Sequence, residues 1–249
     1  MAKRAGLAIM FVMLAVVLVL SYSPQIESAA NAIDQANWQG YPIPPCFIDA
    51  KMCAGHVLGT DENGRDMLVR LVAAVRLSLG VPLLAAILEL IFSLAFGILA
   101  RREGLFAKFI TMRLVDALSC FPAWPFILVV TVFASSGQRA SLAPAVIAAI
   151  TALLFSHPVT QEVAASRNVR DAGRVALNAS SRDWVRILLL IATLDYFGFG
   201  IQPPTPSWGN MLANMQSQMT IAWWVAAFPA ACLFGAALAI EVTRRRFLA

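Results

Sequence analysis

His56–Gly80, HVLGTDENGRDMLVRLVAAVRLSLG, decides how this chain reads, because a charged, turn-containing segment runs without a break into a long apolar one. A junction of that kind belongs at a membrane surface. Gly59-Thr60-Asp61 and Asn63-Gly64 are turn formers, and an Asn-Gly pair accommodates positive φ. From Arg65 onward Met67, Leu68, Leu71, Val72 and Val75 recur at helical spacing, while Asp66 and Arg70 stand four apart as an ion pair on the polar face. The pattern predicts an interfacial helix that turns into a membrane span. The acids do not form a calcium loop: Gly64 falls one place early, and Val72 stands where a bidentate Glu is required.

Outward from this junction the whole chain has the composition of an integral membrane protein. Of its 249 residues, 59% are hydrophobic and 13% charged, about half the roughly 25% charged share of a soluble domain. The formal charge of +5 does not indicate nucleic acid, because the basic residues cluster beside apolar runs. A span takes about 20 apolar residues, and six runs come near that length, at 7–22, 77–100, 110–134, 142–158, 184–201 and 221–242. The predicted fold class is therefore all-α: one transmembrane domain over 1–249 with six helices and both termini cytoplasmic. This orientation puts 14 of the 19 Lys and Arg in the cytoplasm, whereas removing the fifth crossing gives 11 against 8. The positive-inside bias favours six crossings. Segment 23–76 is then extracytoplasmic and segment 159–186 cytoplasmic. Pro122 and Pro125 predict a kink in the third span.

The first run has a competing reading as a cleaved signal peptide, with Lys3 and Arg4 ahead of it and Ser28-Ala29-Ala30 behind. An uncleaved anchor is preferred, since the run is long for a signal core and a polar stretch with Pro24 separates it from the small residues. Cys46 and Cys53 lie in the polar segment with six residues between them. They form a small disulfide loop if that segment faces an oxidising space, and stay as thiols if it does not. With only His56 and His157 and no CxxC pair, no metal site is expected. No phosphate-binding GxxxxGK sequence is present, and His157 in Ser156-His157-Pro158 has no recognisable nucleophile beside it. No catalytic residue is assigned.

The His56–Gly80 run resembles the signature that precedes the second span in permease subunits of the dipeptide, oligopeptide and nickel ABC importers. Its matching residues are Gly59, Thr60, Asp61, Gly64, Arg65 and Asp66. A second block, Gly198–Leu212 or GFGIQPPTPSWGNML, matches in the expected order through Pro203, Pro204, Pro206, Trp208 and Gly209. Arg113 and Asp116, three apart on one helix face, match the family's Arg, Asp and Phe-Pro pattern together with Phe121-Pro122. The proline-rich block reads as a rigid outer turn carrying an aromatic at the membrane interface, with Trp223 and Trp224 in the same belt.

Between the fourth and fifth spans, QEVAASRNVRDAGRVALNASSRDWVR at Gln161–Arg186 resembles the loop by which such permeases engage their ATPases. The resemblance implies a short helix, a turn and a second helix, with Glu162, Ala164, Ala165, Arg174, Ala176, Leu177, Asn178, Ala179 and Ser180 at the docking surface. Asn178 takes the place of the family's Gly, and Asn is the next residue after Gly to accept a left-handed turn. After Ser181 the chain departs from the family, which continues through a second amphipathic helix and a Leu-Pro-Asn element. Here Ile187–Ile201 follows almost directly, only about 22 Å of helix against a hydrocarbon core of about 30 Å. The span must recruit Trp184 and its neighbours, thin the membrane, or cross with a partner's help.

Glu89 and Asp195 fall inside predicted spans, where a carboxylate costs about 2.5–3.5 kcal/mol on insertion scales. Either one lines a translocation path, or each is protonated or paired near an interface; the sequence leaves both open. As the resemblance has it, the chain is a multi-pass subunit of a bacterial-type inner membrane importer for peptides or similar small solutes. It implies a second homologous permease, two ATPase subunits holding the ATP and magnesium, and an extracytoplasmic solute-binding protein, with no cofactor on this chain. A structural or assembly subunit with weakened ATPase coupling is the alternative. An ion-coupled carrier is weaker, since no inverted repeat is visible.

Overall fold

The computed structural model describes residues 23–34, 40–101, 143–166, 168–213 and 220–247, together with positions 109, 113, 116, 117 and 129. The expected first span at 7–22, Pro122 and most of the expected third span lie outside the described residues. The elements, in order, are α1 (Pro24–Asn31), α2 (Met67–Arg101), α3 (Ala143–Ala165), α4 (Val169–Tyr196), α5 (Trp208–Ala213) and α6 (Trp224–Phe247). Apart from two isolated antiparallel bridges, Ile33 to Arg65 and Thr60 to Asp66, the described structure is helical. Among the described residues three helices are long and apolar enough to cross a membrane: α2, α3 from Pro144, and α6 as far as Arg246. This is an all-helical membrane protein.

The helices begin and end where local chemistry dictates. Ser23 caps α1, its hydroxyl accepting from the Ile26 N–H at 3.3 Å ahead of Pro24 in the first turn. Asp66 caps α2 by accepting from the Val69 N–H at 3.0 Å. From there α2 continues for 35 residues, about 52 Å at 1.5 Å per residue. The interfacial turn and the second span are thus one helix. Pro82 within it and Pro158 within α3 are accommodated, as spans allow when neighbouring groups satisfy the freed backbone.

The chain forms two compact units, one of residues Met1–Gly80 with Ile191–Ala237 and the other of Val81–Leu190 with Leu238–Ala249. The first holds the polar segment before α2 and the proline-rich block. The second holds α3 and most of α4. Its core is made of Val159, Val163, Ala172, Ala176 and Ala179, with Leu90 and Leu94 packed against them.

Candidate functional site

In the first unit, the His56–Gly80 run folds back on itself and builds a polar knot under α2. Thr60 is fully buried. Its hydroxyl accepts from the Ile43 N–H at 2.8 Å, and its own N–H donates to the Ile43 carbonyl at 3.0 Å. The Gly59 carbonyl accepts from the Met67 N–H at 3.0 Å. Gly59 itself has φ +74°, and a Cβ there would lie 2.5 Å from the Ile43 carbonyl oxygen. No other residue fits that position.

Asp61 is the centre of this knot. One carboxylate oxygen accepts from the Asn63 and Arg65 N–H groups, both at 2.9 Å, and the other from Arg65 Nε at 2.8 Å. Arg70 Nε lies 3.4 Å from the same second oxygen. Sequence spacing predicts an Asp66–Arg70 pair at a polar surface, and the structure corrects this. Arg70 is only 5% exposed, it turns toward Asp61, and its Nη1 donates to the Ala30 carbonyl at 3.3 Å. Asp66 instead caps the helix and meets His56 Nδ1 at 2.6 Å, while His56 Nε2 lies 3.1 Å from Asp34. Burial lowers the His56 pKa, but the hydrogen bonds and charges of Asp66 and Asp34 outweigh it, so the net shift is upward. Nothing in the sequence spacing signalled this three-residue clasp, although Asp66 ahead of an apolar periodic run is a readable cap.

The proline-rich block closes the same unit. Asn210 exchanges hydrogen bonds with Ser207 and donates to the Ile201 and Thr205 carbonyls. Asp195, buried at the end of α4, accepts from the Ile201 N–H at 2.7 Å. Gly200 abuts the Asp195 carboxylate, and Gly209 abuts the Ala192 carbonyl and Asp195. Pro203–Pro204 is a cis peptide bond, and Pro206 is buried beside Ser207. Trp208 is buried within the protein. Its N–H donates to Ser78 and its indole to the Leu71 carbonyl. Trp224 is buried too, donating to the Thr60 carbonyl at 3.4 Å, whereas Trp223 is half exposed. The Cys46 and Cys53 sulfurs are bonded, with their Cα atoms 4.8 Å apart.

In the second unit, α3 runs on to Ala165, so Glu162, Ala164 and Ala165 form the end of that helix. After a short break α4 extends without interruption from Val169 to Tyr196. The left-handed turn expected at Asn178 is absent: Asn178 is helical, and the fifth apolar run is the C-terminal part of a helix that started at Val169 and stops before Phe197. No Gly or Pro stands between Arg174 and Phe197 to break it. Ala172, Ala176 and Ala179 are buried in the core, as is Ser180. Arg170, Arg174 and Leu177 recur on the opposite, exposed face of α4. Arg182 joins the two helices by donating to Glu162 at 3.0 Å. Gly97 of α2 lies against the Val163 side chain of α3, and sequence reading gave it no role.

Glu89 on α2 is wholly buried. Its neighbours are Asp183 and Arg186, which pair with each other at 2.9 Å. Asp116 meets His157 at 3.1 Å, and Arg113 sits 5.2 Å from the centre of the Phe109 ring. Among the described residues no group of three or more His, Cys, Asp or Glu is arranged to hold a metal ion.

No family model matches the chain. Individual relatives do. It is 28% identical over 219 residues to the di/tripeptide transport system permease protein of Pseudomonas aeruginosa, covering 80% of this chain and 72% of that one. With the dipeptide transport system permease protein of Escherichia coli K12 the identity is 29% over 219 residues, covering 80% and 73%. A Brucella suis protein named for a peptide transport system permease is 30% identical over 212 residues, covering 75% of this chain and 70% of that one. The chain belongs to the permease-subunit family of the dipeptide, oligopeptide and nickel ABC importers. The polar knot and the proline-rich block, far apart in sequence, are the two sequence blocks that resemble this family, and they pack within one compact unit.

Proposed function

We propose that this chain is the transmembrane subunit of an ATP-driven importer that moves peptides or similar small solutes into the cytoplasm. Its relatives' names supply the solute class. In this reading six helices cross the inner membrane with both termini inside, and residues 23–76 face outward, where an oxidising space maintains the Cys46–Cys53 bond. A second homologous permease, two ATPase subunits with ATP and magnesium, and an extracytoplasmic binding protein complete the assembly.

The observation that carries the coupling is the exposed face of α4. Leu177 is 46% exposed on a helix whose other face is buried. Flanked by Arg170 and Arg174 on the same face, it offers an apolar anchor beside charged side chains. An ATPase domain seated there pushes on a helix that is continuous with residues of the fifth crossing. Of the two carboxylates expected on the path, Asp195 is engaged by its local turn, and Glu89 is buried beside Asp183.

The test is Leu177→Asp in the reconstituted complex. Loss of both ATPase binding and solute uptake, with the permease still folded, supports the importer. One observation favours a second reading, a structural or assembly subunit: the turn between two short coupling helices is replaced by uninterrupted α4. Co-purification with an ATPase whose turnover survives Leu177→Asp supports that alternative.

A further inference from the structure

The disulfide loop carries a cluster of large apolar side chains that the rest of the described chain leaves uncovered. Within the loop Phe47 and Met52 are 63% and 64% exposed and Ile48 about half exposed, and Val57, four residues beyond it, is about half exposed as well. The loop that presents them is rigid. Cys46 and Cys53 are bonded, the Asp49 carboxylate accepts from the Lys51 and Met52 N–H groups at 2.9 and 3.2 Å, and the Cys46 N–H donates to the Val57 carbonyl at 3.3 Å. Four apolar side chains held outward on a fixed backbone are not the surface of a loop bathed in water.

The position of the loop identifies what covers it. Phe47 packs edge-on against Phe228, with ring centroids 6.4 Å apart. Phe228 is the fifth residue of α6, about 6 Å along the axis from its first residue. The patch is therefore level with the turn where that span enters the bilayer. Ile221 and Trp223, both at least half exposed, precede the same turn and supply the amphipathic aromatic typical of that depth. Lys51 is exposed within the loop, while one oxygen of the nearby Asp49 carboxylate accepts from two backbone N–H groups. Apolar anchors with an exposed cation are the composition of an interfacial membrane contact.

We propose that the Cys46–Cys53 loop is a lipid anchor: Phe47, Ile48 and Met52 insert into the interfacial layer of the leaflet where α6 begins, and Lys51 faces its headgroups. The surface it occupies is continuous with the lipid-facing surface of α6. The assignment holds whichever side of the membrane that leaflet faces, so it stands or falls separately from the importer reading.

The experiment places photoreactive benzoylphenylalanine at Phe47 or at Met52 in the full chain, in the membranes of cells making the whole complex. Asn63, exposed in the same polar segment, is the control position. Illumination followed by mass analysis of the intact chain is expected to give phospholipid adducts at both test positions at several times the level at Asn63. Resistance of Cys46 and Cys53 to alkylation confirms that the loop is folded in each variant. Adducts to another protein subunit in place of lipid, or lipid adducts no more frequent than at Asn63, overturn the proposal.

Discussion

The indole N–H of Trp208 donates to the carbonyl of Leu71 at 3.2 Å, joining residues 137 positions apart. Trp208 also donates its backbone N–H to the Ser78 hydroxyl at 2.8 Å. The first turns of α2 are thus held by the block that follows α4. Trp208→Ala removes the buried ring as well as the side-chain hydrogen bond, and is expected to cost about 3–5 kcal/mol. Trp208→Phe retains most of the apolar volume and should cost about 1 kcal/mol. Thermal unfolding in detergent, read in both variants, checks the ranking.

Asp61 is expected to be less replaceable than its size suggests. It faces Arg65 and Arg70, and the Arg70 side chain is only 6% exposed. Asp61→Asn keeps the shape but leaves a buried guanidinium without its counter-charge, a change expected to cost about 3–5 kcal/mol. The companion Arg70→Met removes the cation as well, so the double variant should be more stable than Asp61→Asn alone. Equal stability of the two would show that Arg70 does not depend on Asp61.

The turns before α2 and the start of the second span were legible in sequence because their determinants are local. Turn formers at Gly59–Gly64 and helical periodicity from Met67 suffice to draw them. The partner of Arg70 was not legible, because i,i+4 spacing favours Asp66 and only tertiary packing turns Arg70 toward Asp61. The burial of Trp208 was missed for a related reason: an aromatic beside prolines suits a membrane interface, and its partners lie in another part of the chain. At α4 the error ran the other way. A family pattern suggested a turn at Asn178, although the local sequence from Arg174 to Phe197 contains no helix breaker. Ala172, Ala176 and Ala179 already had the spacing of one buried helical face.

Gly97 offers a direct probe of the contact between α2 and α3. A Cβ at that position would collide with both Cγ1 and Cβ of Val163. Val is stiff at χ1 and cannot easily swing away. Gly97→Ala gains up to about 1 kcal/mol in helix propensity, but overpacking typically costs about 1–3 kcal/mol, so the net effect should be destabilising. Val163→Ala removes the closer of the two collisions, with Cγ1, and leaves the one with Cβ. In a double-mutant cycle the pair is expected to be more stable than the sum of the single changes predicts, and strict additivity would mean that the two residues do not touch.

The His56 clasp predicts a pH dependence whose sign is fixed by the direction of its shift. In the folded chain the imidazole is more basic than in the unfolded one, because Asp66 and Asp34 favour its protonated form more than burial opposes it. A raised folded pKa contributes stability that is fully present below the unfolded value, near 6.5, and is lost as pH rises through the folded value. Raising the pH from about 6 toward mildly alkaline values should therefore loosen the segment that joins α1, the disulfide loop and the start of α2. Hydrogen exchange of the backbone amides around residues 56–66 is expected to quicken over that range beyond the intrinsic effect of pH, with amides in α3 as the internal reference. His56→Gln cannot titrate and should abolish the excess. If exchange in the wild-type segment follows the α3 reference throughout, the clasp does not hold this segment.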